Sequence, residues 1–390
     1  MPATTTPEAL ASVLSTIFRT FPNDLVRPSW RKPVATMAGG RHACTMTVHT
    51  PAVTIAELRA DDPAAADEWY KIHEAARSAD IPDFPPLCRY RYEVSLRRPF
   101  PGNKQVRALA YLDSSPAGAL EMELPQLDNL ENAEVDVTVH PRYRRRGVGR
   151  ALFEHATVLG QAEGRRRVMS MTVEQALAEG LTRSPGPNAF ATAMGMKHAL
   201  GDVRRRLAIS DVDDAEMDRL LAEGWQRAEG YSAVMWGGET PEEFIGDIAG
   251  LDSQFVDEAP MGDLAWEAQN VDAERVRQMD ATRIAYGSRG YNTGLRHDAS
   301  GQVVAWSSLQ VFSTVSWHAW QNITLVHPAH RGHRLGVISK VLNLRHLLAH
   351  EPEVRFIDTF NADVNRHMIV INEAMGFRVV DAWANWQREI

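Results

Sequence analysis

Residues 135–150 read VDVTVHPRYRRRGVGR, which predicts a strand, a basic turn with two glycines and the start of a helix. The first N–H groups of a helix have no partner within the helix and lie at the positive end of its dipole, so they bind anions. Gly147 and Gly149 lack the Cβ atoms that would hold a phosphate away, and the neighbouring arginines add positive charge. The stretch therefore predicts a phosphate-binding loop between a strand and a helix.

This loop matches neither of two common nucleotide-binding patterns. The dinucleotide fingerprint needs three glycines and a downstream acid, and the Walker loop needs Gly-Lys followed by Ser or Thr. The spacing Arg144-x-x-Gly147-x-Gly149 instead resembles the acyl-CoA pyrophosphate loop of the GNAT superfamily of N-acetyltransferases. For the stretch taken alone, an ordinary solvated connection between a strand and a helix remains the alternative.

A second copy of the motif lies further along the chain. Residues 324–336 read TLVHPAHRGHRLG and align without gaps with residues 137–149, sharing Val-His-Pro, an arginine and the last glycine. An Ala-Met-Gly signal follows each copy, at residues 193–195 and 374–376. Repetition on this scale predicts two similar domains. Over most of residues 52–390 the chain resembles the tandem GNAT proteins that are frequent in actinobacteria.

The predicted fold class is α/β, as an α+β layered architecture of two GNAT-like domains, each a mixed, mostly antiparallel sheet flanked by helices. Residues 52–238 are expected to form the N-terminal GNAT domain and residues 239–390 the C-terminal one. Residues 1–51 are expected to be a partly ordered N-terminal extension. The break precedes Thr240 and Pro241, which are predicted to be the N-cap and first residue of a helix.

Composition narrows the possible functions. Fifty acidic against forty-two basic residues give a formal charge of −8, so a nucleic-acid partner is not expected. Two cysteines, Cys44 and Cys88, form neither a disulfide framework nor a zinc site, and no metal is expected. No apolar run approaches the roughly 20 residues that a bilayer requires. We therefore expect a cytoplasmic protein with no membrane partner.

The resemblance implies that acetyl-CoA, as co-substrate, lies along the strand ahead of each loop, with strand amides stabilising the charge that develops on the acyl oxygen. In the second copy, Asn365 stands where the family has a cofactor-contacting asparagine. The implied cofactor-binding residues are Val137, Thr138, Val139, Arg144, Arg145, Arg146, Gly147, Val148, Gly149 and Arg150 in the first copy, and Thr324, Leu325, Val326, Arg331, Gly332, His333, Arg334, Leu335, Gly336 and Asn365 in the second.

An amine acceptor is mostly protonated at neutral pH, so a base must remove a proton before the amine attacks. Glu134 and Asp136 are the predicted catalytic residues, because each is a carboxylate that could act as this base. Alternate side chains of a strand share one face, so the two lie together. With Glu131, they match His318, Gln321 and Ile323 of the second copy, in that order and at constant offset. Of these three, only His318 could act as a base.

The sequence departs from the family at two places. The tyrosine that often serves as the acid, four positions before the glycine of the Ala-Met-Gly signal, is replaced by Ala191 in the first copy and Asn372 in the second. In the second copy Arg334 also replaces Gly147. The first copy is therefore expected to bind acyl-CoA better.

Two classes of function remain open. The first is an N-acetyltransferase that transfers an acetyl group from acetyl-CoA to a primary amine of a small molecule, by direct attack in a ternary complex. The second is a non-catalytic acyl-CoA-binding sensor or scaffold built from degenerate GNAT domains. A mycothiol-synthase-like acetyltransferase is a narrower alternative. The assembly is expected to be a monomer with pseudo-twofold tandem domains or a homodimer.

Overall fold

A computed structural model describes residues 53–98 and 100–390. The expected N-terminal extension, residues 1–51, lies outside the described residues. The strands are β1 (Val53–Glu57), β2 (Asn103–Leu112), β3 (Ser115–Pro125), β4 (Asn132–Val139), β5 (Arg167–Ala176), β6 (Lys197–Ala208), β7 (Tyr231–Gly237), β8 (Ser288–His297), β9 (Val303–Phe312), β10 (His318–Val326), β11 (Phe356–Ala362) and β12 (Arg378–Glu389). The α-helices are α1 (Pro63–Asp80), α2 (Arg89–Ser95), α3 (Val148–Ala162), α4 (Gly186–Ala193), α5 (Asp214–Trp225), α6 (Ile245–Gln254), α7 (Ala273–Ala285), α8 (Leu335–His350) and α9 (Arg366–Ala374).

The strands form one mixed sheet in the order β1-β2-β3-β4-β5-β12-β6-β11-β10-β9-β8-β7. Helices cover both faces, because alternate residues of each strand point to opposite sides. On β3, Ala119 packs in one core with Trp69 of α1, and Leu120 packs in another with Leu152 of α3. The layered α/β architecture with two GNAT-like parts is therefore confirmed.

The pairing of the strands repeats across the sheet. The first sheet half (β1 to β5) consists of antiparallel pairs followed by the parallel pair β4–β5, and the second sheet half (β7 to β11) has the same pattern, ending in the parallel pair β10–β11. Between the halves, β12 and β6 lie antiparallel. The strand order is thus symmetric about the β12–β6 pair, as a pseudo-twofold axis at that position requires.

The two halves of the chain exchange strands at the centre of the sheet. Strand β12, from the end of the chain, pairs with β5, and β6, which follows the first Ala-Met-Gly signal, pairs with β11. Each half of the sheet is therefore extended by a strand from the other copy of the motif. The boundary between residues 238 and 239 stays a prediction, and β7, just ahead of it, pairs with β8 of the second sheet half.

A buried ionic network joins the exchanged strands. The guanidinium of Arg204 on β6 donates to Asp381 of β12 at 2.9 Å, to Asp358 of β11 at 2.9 Å and to Asp83 of the segment after α1 at 2.6 Å. The side chains of Arg204, Asp358 and Asp381 are fully buried. Buried charges are tolerated only where they are paired and hydrogen-bonded, so this network specifies how the strands meet.

Several elements differ from the sequence prediction. The helix predicted to begin at Pro241 begins instead at Ile245, and the N–H of Thr240 donates to Asp280 of α7 at 2.9 Å. Thr240 is therefore not a helix N-cap. Helices α2 and α7 and strand β8 were not predicted, because their apolar residues follow neither the helical nor the alternating period clearly.

Candidate functional site

The first loop (residues 140–150) has an open helix start. Gly147 is the N-cap of α3, with φ of 86°, and no side chain caps the helix there. A Cβ built on Gly147 would have no atom within 4 Å, so the space in front of the first turn is empty of protein. The side of Gly147 where a Cβ would lie is therefore open, which leaves room for an anion at this helix start.

The arginines of the first loop have different surroundings. Arg144 donates through both terminal nitrogens to Asp80 of α1, at 2.7 and 2.6 Å, and through Nε to the carbonyl of Val139 at 3.2 Å. Its charge is thus balanced by a carboxylate, and it fixes the loop to α1. Arg145 and Arg150 are exposed beside the helix start, where positive charge attracts an anion.

The second loop (residues 327–337) has the same backbone conformation with its glycine in a different place. Arg145 and Gly147 have φ of 62° and 86°, and their counterparts Gly332 and Arg334 have φ of 87° and 60°. Both loops therefore have left-handed residues at the same two positions. Each has one glycine to relieve the strain and one arginine that bears it.

The second loop has its own contacts with the rest of the protein. Arg331, the counterpart of Arg144, is paired with Glu258, and Nδ1 of His333 lies 3.0 Å from the carbonyl oxygen of Arg227. Gly336 is buried, whereas its counterpart Gly149 is partly exposed. The expectation that the first copy binds acyl-CoA better stays a prediction.

Each loop follows a strand that parts from its parallel neighbour. Strand β4 pairs with β5 only from Asn132 to Glu134, and β10 pairs with β11 only from His318 to Trp320. Residues 137–139 and 324–326, predicted to hold the thioester, lie beyond these pairs. The first cleft (between β4 and β5) and the second cleft (between β10 and β11) therefore each place one strand edge beside a loop.

A bulge in β10 breaks the constant offset assumed between the two copies. The register shifts between Gln321 and Ile323, where Asn322 is an extra residue. Trp320, rather than Gln321, therefore occupies the position in β10 that Glu134 occupies in β4. The amide of Gln321 is buried and donates to the carbonyls of Ser308 and Ile323, at 2.9 and 2.8 Å. The assignment of Gln321 as the counterpart of Glu134 is therefore wrong.

His318 is placed as part of the protein interior. Its Nε2 lies 3.2 Å from the Asp358 carboxylate in the buried ionic network, and its side chain is 1% exposed. Burial lowers its pKa, with the Asp358 hydrogen bond opposing that shift. A small molecule has no access to this ring, so His318 is not placed to act as a base on one.

The first cleft has carboxylates on one face of β3 and β4. Asp136 lies directly opposite Glu121, and Glu134 lies directly opposite Glu123. Asp136 is exposed to solvent, and desolvation by the surrounding protein raises its pKa, while the hydrogen bond from Thr138 at 2.8 Å lowers it. Asp136 is thus an accessible carboxylate whose pKa is raised.

Glu121, directly opposite Asp136, is itself held by two donors. Its carboxylate accepts from the Gln105 amide at 2.5 Å and from Arg107 at 3.1 Å. Burial raises the pKa of Glu121, Arg107 lowers it, and Asp136 raises it further. A cation placed between two facing carboxylates is attracted by both, and the ammonium group of an acceptor is such a cation.

His73 of α1 reaches the same place and was not assigned a role from the sequence. Its ring stacks on Trp69 with centroids 3.6 Å apart, and its Nδ1 lies 3.3 Å from Thr138 Oγ1. Burial and nearby Arg107 lower the pKa of His73 to about 3, so the ring is neutral. With the proton on Nδ1, His73, Thr138 and Asp136 form a continuous hydrogen-bonded chain. The helical period of α1 indicated only that His73 is buried.

The equivalent face of the second sheet half lacks these acids. Register places Ser308 where the first sheet half has Glu121, Gln310 where it has Glu123, and Ile323 where it has Asp136. These three residues border a cavity of about 110 Å³. The two faces therefore differ in charge although their backbones correspond.

Neither copy supplies a tyrosine at the position of the family's acid. Ala191 is buried, and Asn372 is buried where it accepts from Lys340 Nζ and donates to Asn361, both at 2.6 Å. Asn365 is the N-cap of α9, and its side chain accepts from the N–H of Met368 at 3.1 Å. A contact of Asn365 with the cofactor stays a prediction.

The sheet has two clefts where parallel strands part, and a loop at the start of a helix lies beside each cleft. This arrangement defines a tandem acetyltransferase fold. A model of the Acetyltransferase (GNAT) family matches residues 67–180. A solved tandem GNAT protein from the clavulanic acid biosynthesis pathway is 32% identical, with 87% of this chain and 98% of that chain covered and a TM-score of 0.72. The chain belongs to the GNAT family, in its tandem form.

More distant structures share the fold alone. A GCN5-related N-acetyltransferase from Sphaerobacter thermophilus is 15% identical, with 86% of this chain and 95% of that chain covered and a TM-score of 0.57. A glucosamine N-acetyltransferase region of a fungal β-N-acetylglucosaminidase is 13% identical, with 87% and 38% covered and a TM-score of 0.59. A search of curated proteins returned no match.

Two further observations concern the described residues only. Within 53–98 and 100–390, no helix is both long and apolar enough to span a membrane. In the same part of the chain, no group of three or more His, Cys, Asp or Glu side chains is arranged to hold a metal ion.

Proposed function

We propose that the protein transfers an acetyl group from acetyl-CoA to a primary amine of a small molecule, by direct attack in a ternary complex at the first cleft. The observation that carries this proposal is the conjunction of an open helix start at Gly147 with the accessible carboxylate of Asp136 on the same strand-loop unit. Family membership supports the acyl transfer, and the acids support a cationic acceptor.

The residues of the first loop fit the diphosphate of acetyl-CoA. The helix start offers backbone N–H donors, Gly147 leaves room for a phosphate, and Arg145 and Arg150 add positive charge. The thioester supplies an activated acyl group. Along the parted strand, backbone N–H groups of residues 137–139 would stabilise negative charge developing on the acyl oxygen.

The carboxylates would bind the acceptor amine and remove a proton from it. Asp136 and Glu121 attract an ammonium group, and Asp136 accepts one of its protons so that the neutral amine can attack. Thr138 and His73 orient Asp136 through their hydrogen bonds. Glu134 is two residues before Asp136 on the same face of β4 and is the second predicted catalytic residue. It would hold the acceptor or take the proton through a water molecule.

A thiol-release assay with a panel of primary amines tests the proposal. We expect release that depends on the amine, and a fall of about 100-fold or more in Asp136→Asn because a general base contributes that much. Asp298→Asn, an exposed aspartate of the second half of the chain, is the control and should have no effect. Equal rates in the two variants would exclude Asp136 as the base.

The loop can be tested separately with three glutamate variants at glycines of positive φ, each in open space. Gly147→Glu should abolish release by blocking the first loop, while Gly164→Glu, beyond the end of α3, controls for the backbone strain. Gly332→Glu blocks the second loop. Loss of release in Gly332→Glu alone would move the reaction to the second cleft.

The alternative is a non-catalytic acyl-CoA-binding sensor or scaffold, which the missing tyrosine at Ala191 and Asn372 favours. Acetyl-CoA binding without thiol release for any amine would support it. A mycothiol-synthase-like reaction is the narrower alternative, so the panel includes a cysteinyl-glucosaminyl-inositol acceptor. Faster release with that acceptor than with simple amines would select this alternative.

A further inference from the structure

Four histidines and a tyrosine lie together at the second loop. His327, His330 and His333 belong to the loop itself, and His297 is the last residue of β8. The ring of Tyr231, at the start of β7, has its centroid 5.3 Å from that of His297, 5.8 Å from that of His330 and 5.2 Å from that of His333. The rings of His297 and His330 are 4.9 Å apart, and those of His327 and His330 are 5.7 Å apart. These four histidines are the histidine cluster.

The first loop has no such group of histidines. Of the three loop histidines, only His327 has a histidine, His140, at the matching position of the first loop. The other two positions hold Tyr143 and Arg146, and Arg146 pairs with Asp113 of the β2–β3 turn at 3.6 Å. The second loop therefore replaces a permanent cation by side chains whose charge changes near neutral pH.

The protein fixes the orientation of each ring of the histidine cluster. In each ring Nδ1 lies within hydrogen-bond distance of a protein group: the Tyr231 hydroxyl for His330 at 2.9 Å, Ser300 Oγ for His297 at 2.9 Å, the Arg227 carbonyl oxygen for His333 at 3.0 Å and the Ala329 N–H for His327 at 3.2 Å. Within the part of the chain that the structure describes, no side chain or backbone group bonds to Nε2 of these rings, and none of the four Nε2 atoms is fully buried. One nitrogen of each ring thus stays open to a ligand.

The segments that carry the cluster are more basic than acidic. Their charged side chains are Arg227, Arg296, Arg331 and Arg334 against Glu229 and Asp298. Asp298 accepts from the Ser232 hydroxyl at 2.7 Å, and Glu258, from the segment after α6, pairs with Arg331. These charges would attract an anion rather than a cation.

The histidines of the cluster act on one another. Burial lowers the pKa of His330, and the neighbouring His297, His327 and His333 lower it further. Protonation is therefore opposed by repulsion between the rings, which a bound anion would offset. Because proton binding and anion binding then favour each other, affinity for the anion should increase as the pH falls below the ordinary histidine pKa of about 6.5.

We propose that the histidine cluster binds a phosphate group through the Nε2 N–H groups of its protonated rings, with an affinity that increases at acidic pH. A tetrahedral oxyanion has acceptor oxygens on several sides, which suits donors that come from the loop and from the end of β8. The phosphate can be a free ion or part of a coenzyme. The proposal concerns binding alone and does not depend on acetyl transfer at the first cleft.

Histidine-selective NMR on the full chain tests this, with sulfate as a tetrahedral probe whose own charge does not change over the pH range. We expect sulfate to bind at least about 10-fold more tightly at about pH 5.5 than at about pH 8, and to raise the pKa of His297 and His330. His297→Gln combined with His330→Gln should remove most of this pH dependence. His198→Gln on β6, where the ring contacts Trp386 instead, is the control and should change nothing.

Sulfate affinity that is equal at the two pH values, cluster resonances that do not respond to sulfate, or an unchanged pH dependence in the folded double variant would each overturn the proposal. CoA and dephospho-CoA, which differ by one phosphate, identify its source. A larger response to CoA assigns the site to the phosphate of the coenzyme, and equal responses assign it to a free phosphate ion. Because the signal comes from the histidine rings, loss of activity in the thiol-release assay does not affect this outcome.

Discussion

Thr138 is the residue whose hydrogen bond to Asp136 can be tested most directly. Its hydroxyl lowers the pKa of Asp136, so Thr138→Val should raise that pKa further. Asp136 accepts a proton only when ionised, and the rate falls as the pH falls through its pKa. We therefore expect the acid limb of kcat/KM against pH to move to higher pH in Thr138→Val.

The control for this prediction is Thr157→Val on α3, where the hydroxyl donates to the carbonyl of Phe153 instead. Its acid limb should coincide with that of the unmodified protein. An acid limb that stays in place in Thr138→Val would show that Asp136 does not set the pH dependence.

The paired left-handed positions give a second test at the residue scale. Gly147→Ala places a Cβ at φ of 86° in open space, so we expect the loss of stability to be backbone strain alone, about 1 kcal/mol. Arg334→Gly relieves the same strain at φ of 60°, and we expect no loss and a gain of up to about 1 kcal/mol. Urea unfolding measures both, and a change of the same sign in the two variants would contradict the shared backbone conformation.

At the residue scale, the sequence predicted the glycine at the start of α3 but not which acids face each other. Gly147 could be predicted because a phosphate loop needs a residue without Cβ at a helix start. Glu121 could not be placed opposite Asp136, because the register between β3 and β4 depends on pairing across the sheet. The pairing of Arg144 with Asp80 likewise depends on where α1 ends in space.

At the scale of elements, the contact between α8 and α9 differs between the two copies. Lys340 of α8 is buried at the position of Phe153 in α3, and burial lowers its pKa to about 7. Its pKa in the unfolded chain is about 10.4. Between these two values the unfolded chain binds more protons than the folded one, so the contribution of Lys340 to the free energy of unfolding increases as pH rises from about 7 to about 10.

Lys340→Met should therefore flatten the rise in stability over that pH window. Urea unfolding at a series of pH values measures the slope, and Lys104→Met, which removes a partly exposed lysine paired with Glu163, is the control. A slope that is the same in Lys340→Met and the unmodified protein would mean that the amine is already charged in the folded state.

The bulge in β10 shows that a strand can be predicted correctly while its residues are matched to the wrong residues of the first copy. The strand before the second loop was predicted, but one extra residue at Asn322 shifts every side chain before it relative to the first copy. A comparison of sequences at constant offset cannot detect such an insertion, because the residues on both sides of it still alternate.

For the whole molecule, the strand exchange makes the two halves of the chain interdependent. Residues 52–238 alone lack β12, which joins β5 to β6, and they also lack β11, the other neighbour of β6. Arg204 would keep Asp83 but lose Asp381 and Asp358, and β6 would lose both of its neighbouring strands. We expect this fragment not to fold by itself.

Co-expression of residues 52–238 with residues 239–390 should restore a soluble complex that melts in one transition, as we also expect of the full chain. Size-exclusion chromatography and circular dichroism measure the outcome. Cooperative melting of fragment 52–238 in isolation would show that the exchanged strands are not needed for folding.

The sequence by itself determined that the chain has two copies of a GNAT unit, because strand alternation, loop glycines and helix starts are set by neighbouring residues. Only the tertiary structure decided that β6 and β12 each pair with a strand of the other half of the sheet, and that the first cleft carries the facing acids. The physical reason is that pairing, register and burial join residues far apart in the chain, and no local pattern records which distant partner a strand or a charge will find.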